Sequence, residues 1–412
     1  MDSYWESQPY SFDINDEGAI PKTNLPITIL GEVYSGLYDR DEIRSDIISK
    51  LWFTYRRGFK PIGTPSGFVS DTGWGCMHRC GQMMIAHALI MIHLGRQWRW
   101  YRNIDNPVYH RILAMFHDNR NVPYSIHMIS MIGQLEGKSA GKWFGPNTVA
   151  QALKNLSVED KWTNLVVHIT MEDGVIIDEI ISECHKIEEN SKSGQHHPSQ
   201  MDLMNPKYKS AVQAVSKEID DNCVEIMIPP IAQTHKKDNL KTSSKTQWRP
   251  LLLIIPVRLG LNELNECYVT ALKDVFQLSQ CVGIIGGRPS HALWFIGQVG
   301  EDLIYLDPHE PQTVVPLKTY CQVLDDESYH CTKWSKMPIV KVDPSLAIGF
   351  VCTSEDSFIT LCEQLKRKIL IPAGNYPMFE IHQKRPYYFP PLYNCNISVN
   401  GTDDSAEEFE LI

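Results

Sequence analysis

The stretch Ser70–Leu94, SDTGWGCMHRCGQMMIAHALIMIHL, decides how the rest of the chain is read. Its first residues are polar and glycine-rich, and Asp71, Thr72, Gly73 and Gly75 are turn formers. From Met77 onward the run is apolar, free of proline and longer than a usual strand. Met84, Ile85, Leu89 and Ile92, with the small residues between them, therefore predict a mostly buried helix. The junction sets Cys76 at a helix N-terminus, where unpaired backbone N–H groups and the positive end of the dipole favour a thiolate. A cysteine nucleophile requires that setting. The competing reading is a buried structural cysteine; Trp74 and two glycines crowded before Cys76, with no apolar strand leading in, weigh against it.

At 412 residues and 43% hydrophobic, the chain suits one large domain with insertions or two smaller ones. The apolar run after Cys76 is broken by His87 and His93 and is too short to cross a bilayer. The opening residues Met1 to Glu6 lack the basic and apolar regions of a signal peptide, so the expected location is the cytosol. Eleven cysteines, scattered from Cys76 to Cys395, agree with that and read mostly as core thiols. No second Cys or His pair follows Cys76 and Cys80 at zinc-binding spacing, so a metal site is not expected. A net charge of −10 argues against nucleic acid as a partner.

In chain order, residues 1–40 are polar and read as an N-terminal arm, loose or lying on the body. Ile43, Ile47, Leu51 and Tyr55 recur every four residues, predicting an amphipathic helix over Asp41–Tyr55. A glycine- and proline-rich loop, Gly58–Gly75, then leads to Cys76. Helices are expected from Pro107, from Ser125 as a cap, and from Asn147 to Leu156. Between the last two, Trp143 and Phe144 lie in a glycine-flanked loop. Asn164–Met171 reads as a strand, and residues 185–248 as a polar insertion interrupting the domain. Leu251–Gly260 reads as a buried strand, Asn262–Leu278 as a helix, and Val282–Gly286, Ala292–Val299 and Leu303–Leu306 as short strands, the last two a hairpin. A cysteine-bearing helical half followed by a mainly antiparallel sheet is an α+β layout.

A cysteine nucleophile needs a base, and the base an orienting group. Two histidines stand at the edges of the late strands. His291 opens an apolar strand, as the base of papain-type proteases often does. His309 has Asp307 two residues before it, so in extended chain both side chains share a face, with Pro308 fixing the backbone between them. Spacing leaves the two level.

The segments SDTGWGCMHRCGQM, GKWFGPNTVAQAL, PVRLGLNELNE, GGRP and FIGQVGEDLIYLDPHEPQ, in this order from Ser70 to Gln312, closely resemble the autophagins, cysteine proteases that cleave ubiquitin-like modifiers of the autophagosome membrane. The likeness runs from LWFTYRRGF at Leu51 to FVCTSEDSF at Phe358. It implies a papain-like fold with a small inserted subdomain, a peptidase domain over residues 41–390, and a triad of Cys76, Asp307 and His309. His291 then becomes a structural residue. By the same resemblance Tyr55 joins the backbone N–H of Cys76 in the oxyanion hole, Trp143 covers the active-site slot, and Pro256, Val257, Arg258, Leu259, Gly260, Leu261 and Asn262 form a loop that the substrate tail lifts. The implied substrates are precursor modifiers and modifiers attached to phosphatidylethanolamine, met at the autophagosomal membrane. In the acidic tail, residues 391–412, Phe409 and Ile412 resemble a short modifier-docking motif. Cys80, one helical turn after Cys76, is placed to resolve a sulfenic acid on it or to serve as a packed thiol. An adaptor without catalysis, or a papain-like deubiquitinase or acyltransferase using His291, are the alternatives.

Overall fold

A helix that is mostly apolar on several faces has to sit inside the protein, and the segment opened by Cys76 does. A computed structural model describes residues 22–120, 122–158, 160–171, 174–185, 247–316, 325–370 and 376–386. Its elements in order are β1 (Pro26–Ile29), β2 (Glu32–Ser35), α1 (Arg40–Ile48), β3 (Arg56–Ile62), β4 (Phe68–Ser70), α2 (Cys76–His93), α3 (Pro107–Ala114), α4 (Ile126–Leu135) and α5 (Pro146–Ser157). There follow β5 (Val166–Ile169), β6 (Gly174–Ile176), α6 (Ile177–His185), β7 (Leu251–Arg258), α7 (Val269–Val275), β8 (Cys281–Arg288), β9 (His291–Val299), β10 (Asp302–Leu306), β11 (Gln312–Thr313), β12 (Ser335–Pro338), β13 (Ser345–Cys352), α8 (Glu355–Gln364) and β14 (Glu380–His382).

The large sheet runs β12-β10-β9-β8-β13-β7-β5, with β1 beside the second half of β9 and β2 beyond it. Its pairings are antiparallel except β5 with β7, so the fold is α+β with a mixed sheet. Helix α2 lies on β8, β9 and β13, and against α5. Every residue from Cys76 to Ile90 is buried; each large apolar side chain among them contributes about 1.5–3 kcal/mol of transfer free energy. Two glycines set how closely the layers approach. A Cβ at Gly81 would meet Val149 of α5 at 2.6 Å, and one at Gly349 of β13 would meet the Met84 sulfur at 2.8 Å.

Several expected elements have different limits. Helix α1 ends at Ile48, and Leu51 to Tyr55, buried except for the half-buried Trp52, lead into β3, which occupies the expected loop together with β4. The helix expected over Asn262–Leu278 shortens to α7, because Asn265 turns its side chain onto the N–H of Cys267 and starts a 3-10 turn. Residues 26–35 of the stretch read as an arm are strands, with Ile27 and Ile29 fully buried. Most of the insertion (186–246) and all of the tail (391–412) lie outside the described residues. Among the described residues no helix is long and apolar enough to cross a membrane.

Candidate active site

Three local devices bring the turn before α2, the end of β10 and the start of β9 to one place. The turn is fixed by Asp71. Its carboxylate, fully buried, accepts from the Arg56 N–H at 2.6 Å and from Arg79 Nε at 2.8 Å, while its carbonyl accepts from the N–H groups of Trp74 and Gly75. Arg79 is held in turn by Asp118 at 2.8 Å. Gly73 needs its φ of +87°, and a Cβ at Gly75 would come within 2.6 Å of Asp71. The sequence DTGWG is therefore the one that lets Cys76 begin the helix.

The second device is strand register. β10 pairs antiparallel with β9, Leu306 opposite Trp294. Continuing that register past the end of β10 brings His309 level with His291. The third is a staple. The Tyr55 N–H donates to the Pro308 carbonyl at 2.8 Å, Trp52 Nε1 to the Asp307 carbonyl at 2.8 Å, and the Gln312 N–H to the Tyr55 carbonyl at 2.9 Å.

The side chains that result are close-set. Asp307 Oδ1 accepts from the His309 N–H at 2.9 Å and bonds its Nδ1 at 2.5 Å. The same oxygen thus fixes both the loop and the ring. His309 Nε2 is buried with no hydrogen-bond partner of its own among the described residues, and the Cys76 thiol is close enough to raise the ring's affinity for a proton. Tyr55 stands edge-on to the His309 ring, centroids 5.3 Å apart, and its phenol and the Cys76 thiol act on each other electrostatically. Cys76 itself is 1% exposed.

Electrostatics follow from these contacts. Burial pushes the Cys76 thiol up, but His309, the backbone of Ala292 and the Tyr55 hydroxyl bring it below the ordinary cysteine value. Burial pushes His309 down, yet its bond to Asp307, the neighbouring Cys76 and the charges of both raise it to about 9. Burial likewise pushes Asp307 up, and the neighbouring His291 and the hydrogen-bonded His309 outweigh it, holding the carboxyl well below the usual range. An acid lowered beside a base raised is the condition for a thiolate–imidazolium pair at neutral pH. Cys80 differs: fully buried, its thiol is pushed well above 9 by burial and by Cys76.

His291, read as structural on the strength of resemblance, lies inside this cluster. Its ring stacks on His309 at 3.6 Å and 3°, and its Nε2 is 3.8 Å from Asp307 Oδ2. His291, Asp307 and His309 have ligand atoms within 4.8 Å of one another. Rings stacked face to face cannot both point in-plane lone pairs at one ion, and His309 Nδ1 is already taken by Asp307, so the arrangement does not fit a metal. Trp143 is 40% exposed in the loop before α5, beside Phe144, which is buried against His78 at 3.9 Å. Of the expected gating loop, Pro256, Val257 and Arg258 belong to β7, paired with β13. Leu259 is buried. Gly260, Leu261 and Asn262 form the surface part, lining an open depression with Leu261 82% exposed. Phe409 and Ile412 lie outside the described residues.

Residues 40–364 match the Peptidase C54 catalytic domain. The chain belongs to the peptidase C54 family. Full-length similarity agrees: it is 40% identical over 407 residues to "Cysteine protease ATG4B" of Xenopus laevis, covering 96% of each chain. It is 39% identical over 398 residues to "Cysteine protease ATG4A" of Homo sapiens, covering 95% of this chain and 91% of the other. This C54 protein is accordingly a papain-like thiol peptidase of the autophagy class.

Sequence reasoning did not find the Ala292 backbone, Trp52 or Asp71 as parts of the site. The first has no side-chain signature. Trp52 and Asp71 stood within quoted motifs, LWFTYRRGF and SDTGWGC, and a turn that must deliver a nucleophile needs a partner for its own polar groups.

Proposed function

We propose that this C54 peptidase cleaves after the C-terminal glycine of ubiquitin-like autophagy modifiers, releasing either the peptide tail of the precursor or phosphatidylethanolamine, and that it does so in the cytosol at the surface of autophagosomal membranes. The observation that carries the reading is the convergence of Cys76, His309 and Asp307 with thiol lowered and imidazole raised. The Cys76 thiolate attacks the glycine carbonyl carbon, forming C–S as the carbonyl electrons move to oxygen. Tyr55 and the Cys76 N–H donate to that oxyanion. His309 Nε2–H passes its proton to the departing amine as C–N breaks, leaving a thioester and neutral imidazole. His309 then takes a proton from water, which attacks the thioester; C–S breaks and the ion pair returns. Asp307 keeps the imidazole in the required tautomer throughout.

Glycine at the cleavage position fits a narrow slot covered by Trp143 and bordered by the Pro256–Asn262 segment, whose surface part is Gly260 to Asn262. Phe409 and Ile412 would dock the modifier by adding a strand to its sheet edge. No metal or organic cofactor takes part. Cleavage of a tailed and of a lipidated modifier by the parent, Cys76→Ala, His309→Ala and His291→Ala tests the reading. Loss in the first two variants is expected. Activity that survived His309→Ala but not His291→Ala would move the base to His291, and an inactive parent would leave modifier binding alone.

A further inference from the structure

We infer that His291 is a positioning residue for the reaction, a second imidazole that fixes the plane of His309 and steadies the free oxygen of Asp307. The inference rests on His309 being the base. The observations that carry it are geometric: two rings parallel within 3° at 3.6 Å, and Nε2 of His291 at 3.8 Å from the Asp307 oxygen that His309 does not use. Asp307 needs this. Its side chain is 40% exposed, so water competes for the oxygen left over.

The ring of a histidine held only by Nδ1 can still tilt about that bond. Nothing in the bond opposes the tilt. A flat neighbour on the ring face does, and Tyr55 standing at 90° to the same ring adds a second wall. The strand supplies a further link. His291 opens β9 opposite Arg288 of β8, and the backbone of the next residue, Ala292, helps lower the Cys76 thiol. One dipeptide thus acts on both members of the ion pair, His291 through the base and Ala292 through the thiol. The turn before it is held at a left-handed Ser290, φ +59°, which sets the direction in which β9 starts.

Among the described residues, Asp307 and His309 from the loop after β10 face His291, and Arg288 is its cross-strand partner. The His291 ring, stacked on His309 and close to the second Asp307 oxygen, orders the pair. Removing it loosens Asp307 from His309, so the pH range over which Cys76 is a thiolate beside an imidazolium should narrow from both sides.

The test uses the full chain and two readouts, cleavage of a tailed modifier and the pH dependence of Cys76 alkylation by iodoacetamide, on the parent, His291→Ala, His291→Phe and His309→Ala. The expected result is that His291→Ala lowers kcat about three- to ten-fold with KM unchanged, and narrows the alkylation profile. His291→Phe, which keeps a flat face, recovers most of the loss. An inactive His309→Ala together with an alkylation profile in His291→Ala that is unchanged or broader overturns the inference while leaving the base in place. A fully active His309→Ala overturns the base assignment itself. A His291→Phe variant no better than His291→Ala, with the same melting temperature, also overturns the positioning inference, because stacking is then not what His291 supplies.

Discussion

Replacing Asp307 with Asn removes the contact that most directly sustains the imidazolium. His309 stands at about 9 against an ordinary 6.5, with Asp307 and Cys76 as the causes that raise it over the opposing effect of burial. That difference corresponds to roughly 3 kcal/mol of preference for the charged ring. The sign is fixed by the group: a base raised by its partners keeps its proton until the pH passes the raised value, so parent activity falls on the alkaline side through about 9. Asn at 307 contributes no charge and allows the ring its other tautomer. The alkaline limb should then move down by at least about one pH unit, and kcat/KM at neutral pH should fall about a hundred- to ten-thousand-fold. The assay is cleavage of a tailed modifier across pH, paired with Cys76 alkylation, which reads the thiolate without substrate. An alkaline limb that stayed in place in Asp307→Asn would refute the reasoning, since the carboxylate would then not be what raises His309.

Three further substitutions probe the scaffold. Asp71→Asn leaves Arg79 buried beside a lost partner and should cost about 3–5 kcal/mol in denaturant unfolding; a loss under 1 kcal/mol would show that Asp118 alone holds Arg79. Trp52→Phe keeps the ring and loses the donor to the Asp307 carbonyl. It should lower kcat about five- to ten-fold with KM and melting temperature nearly unchanged, a hydrogen bond being worth about 1 kcal/mol. Tyr55→Phe should lower kcat about 100- to 1000-fold if the hydroxyl stabilises the oxyanion; a loss of three-fold or less would confine its role to the thiol it acts on in the resting site.

Much of the fold was legible where one physical signal dominated. Helix α2 is a long, mostly apolar run without proline, and its read limits differ from the observed ones by a single residue. β9 and β10 announce themselves by apolar runs and a glycine turn. The signal failed where two structures share a pattern. Leu51 and Tyr55 continue the four-residue spacing of α1, yet both are buried in the segment that leads from it into β3. β13, the strand between β8 and β7, carries Gly349 within an apolar run buried on both faces, and such a run has no alternation to mark it. β1 and β2 are four residues each, too short for any period to show.

The site divides in the same way. Cys76 stood out by its turn, and Asp307 with His309 by their spacing. The choice between His291 and His309 was invisible to spacing because β9 and β10 end side by side, and only the register puts the two rings in one stack. Resemblance to the autophagins separated them by role, and in doing so set His291 outside a cluster in which it has a place.

Alkylation of the full chain at neutral pH with limiting iodoacetamide, mapped over its eleven cysteines by mass spectrometry, tests the central claim most directly. Cys76 is 1% exposed whereas Cys267 lies open on the surface, so exposure alone favours Cys267. The ion pair predicts the opposite order: Cys76 modified first, and its advantage abolished by His309→Ala. Labelling of Cys267 ahead of Cys76, or a Cys76 rate indifferent to His309→Ala, would contradict it.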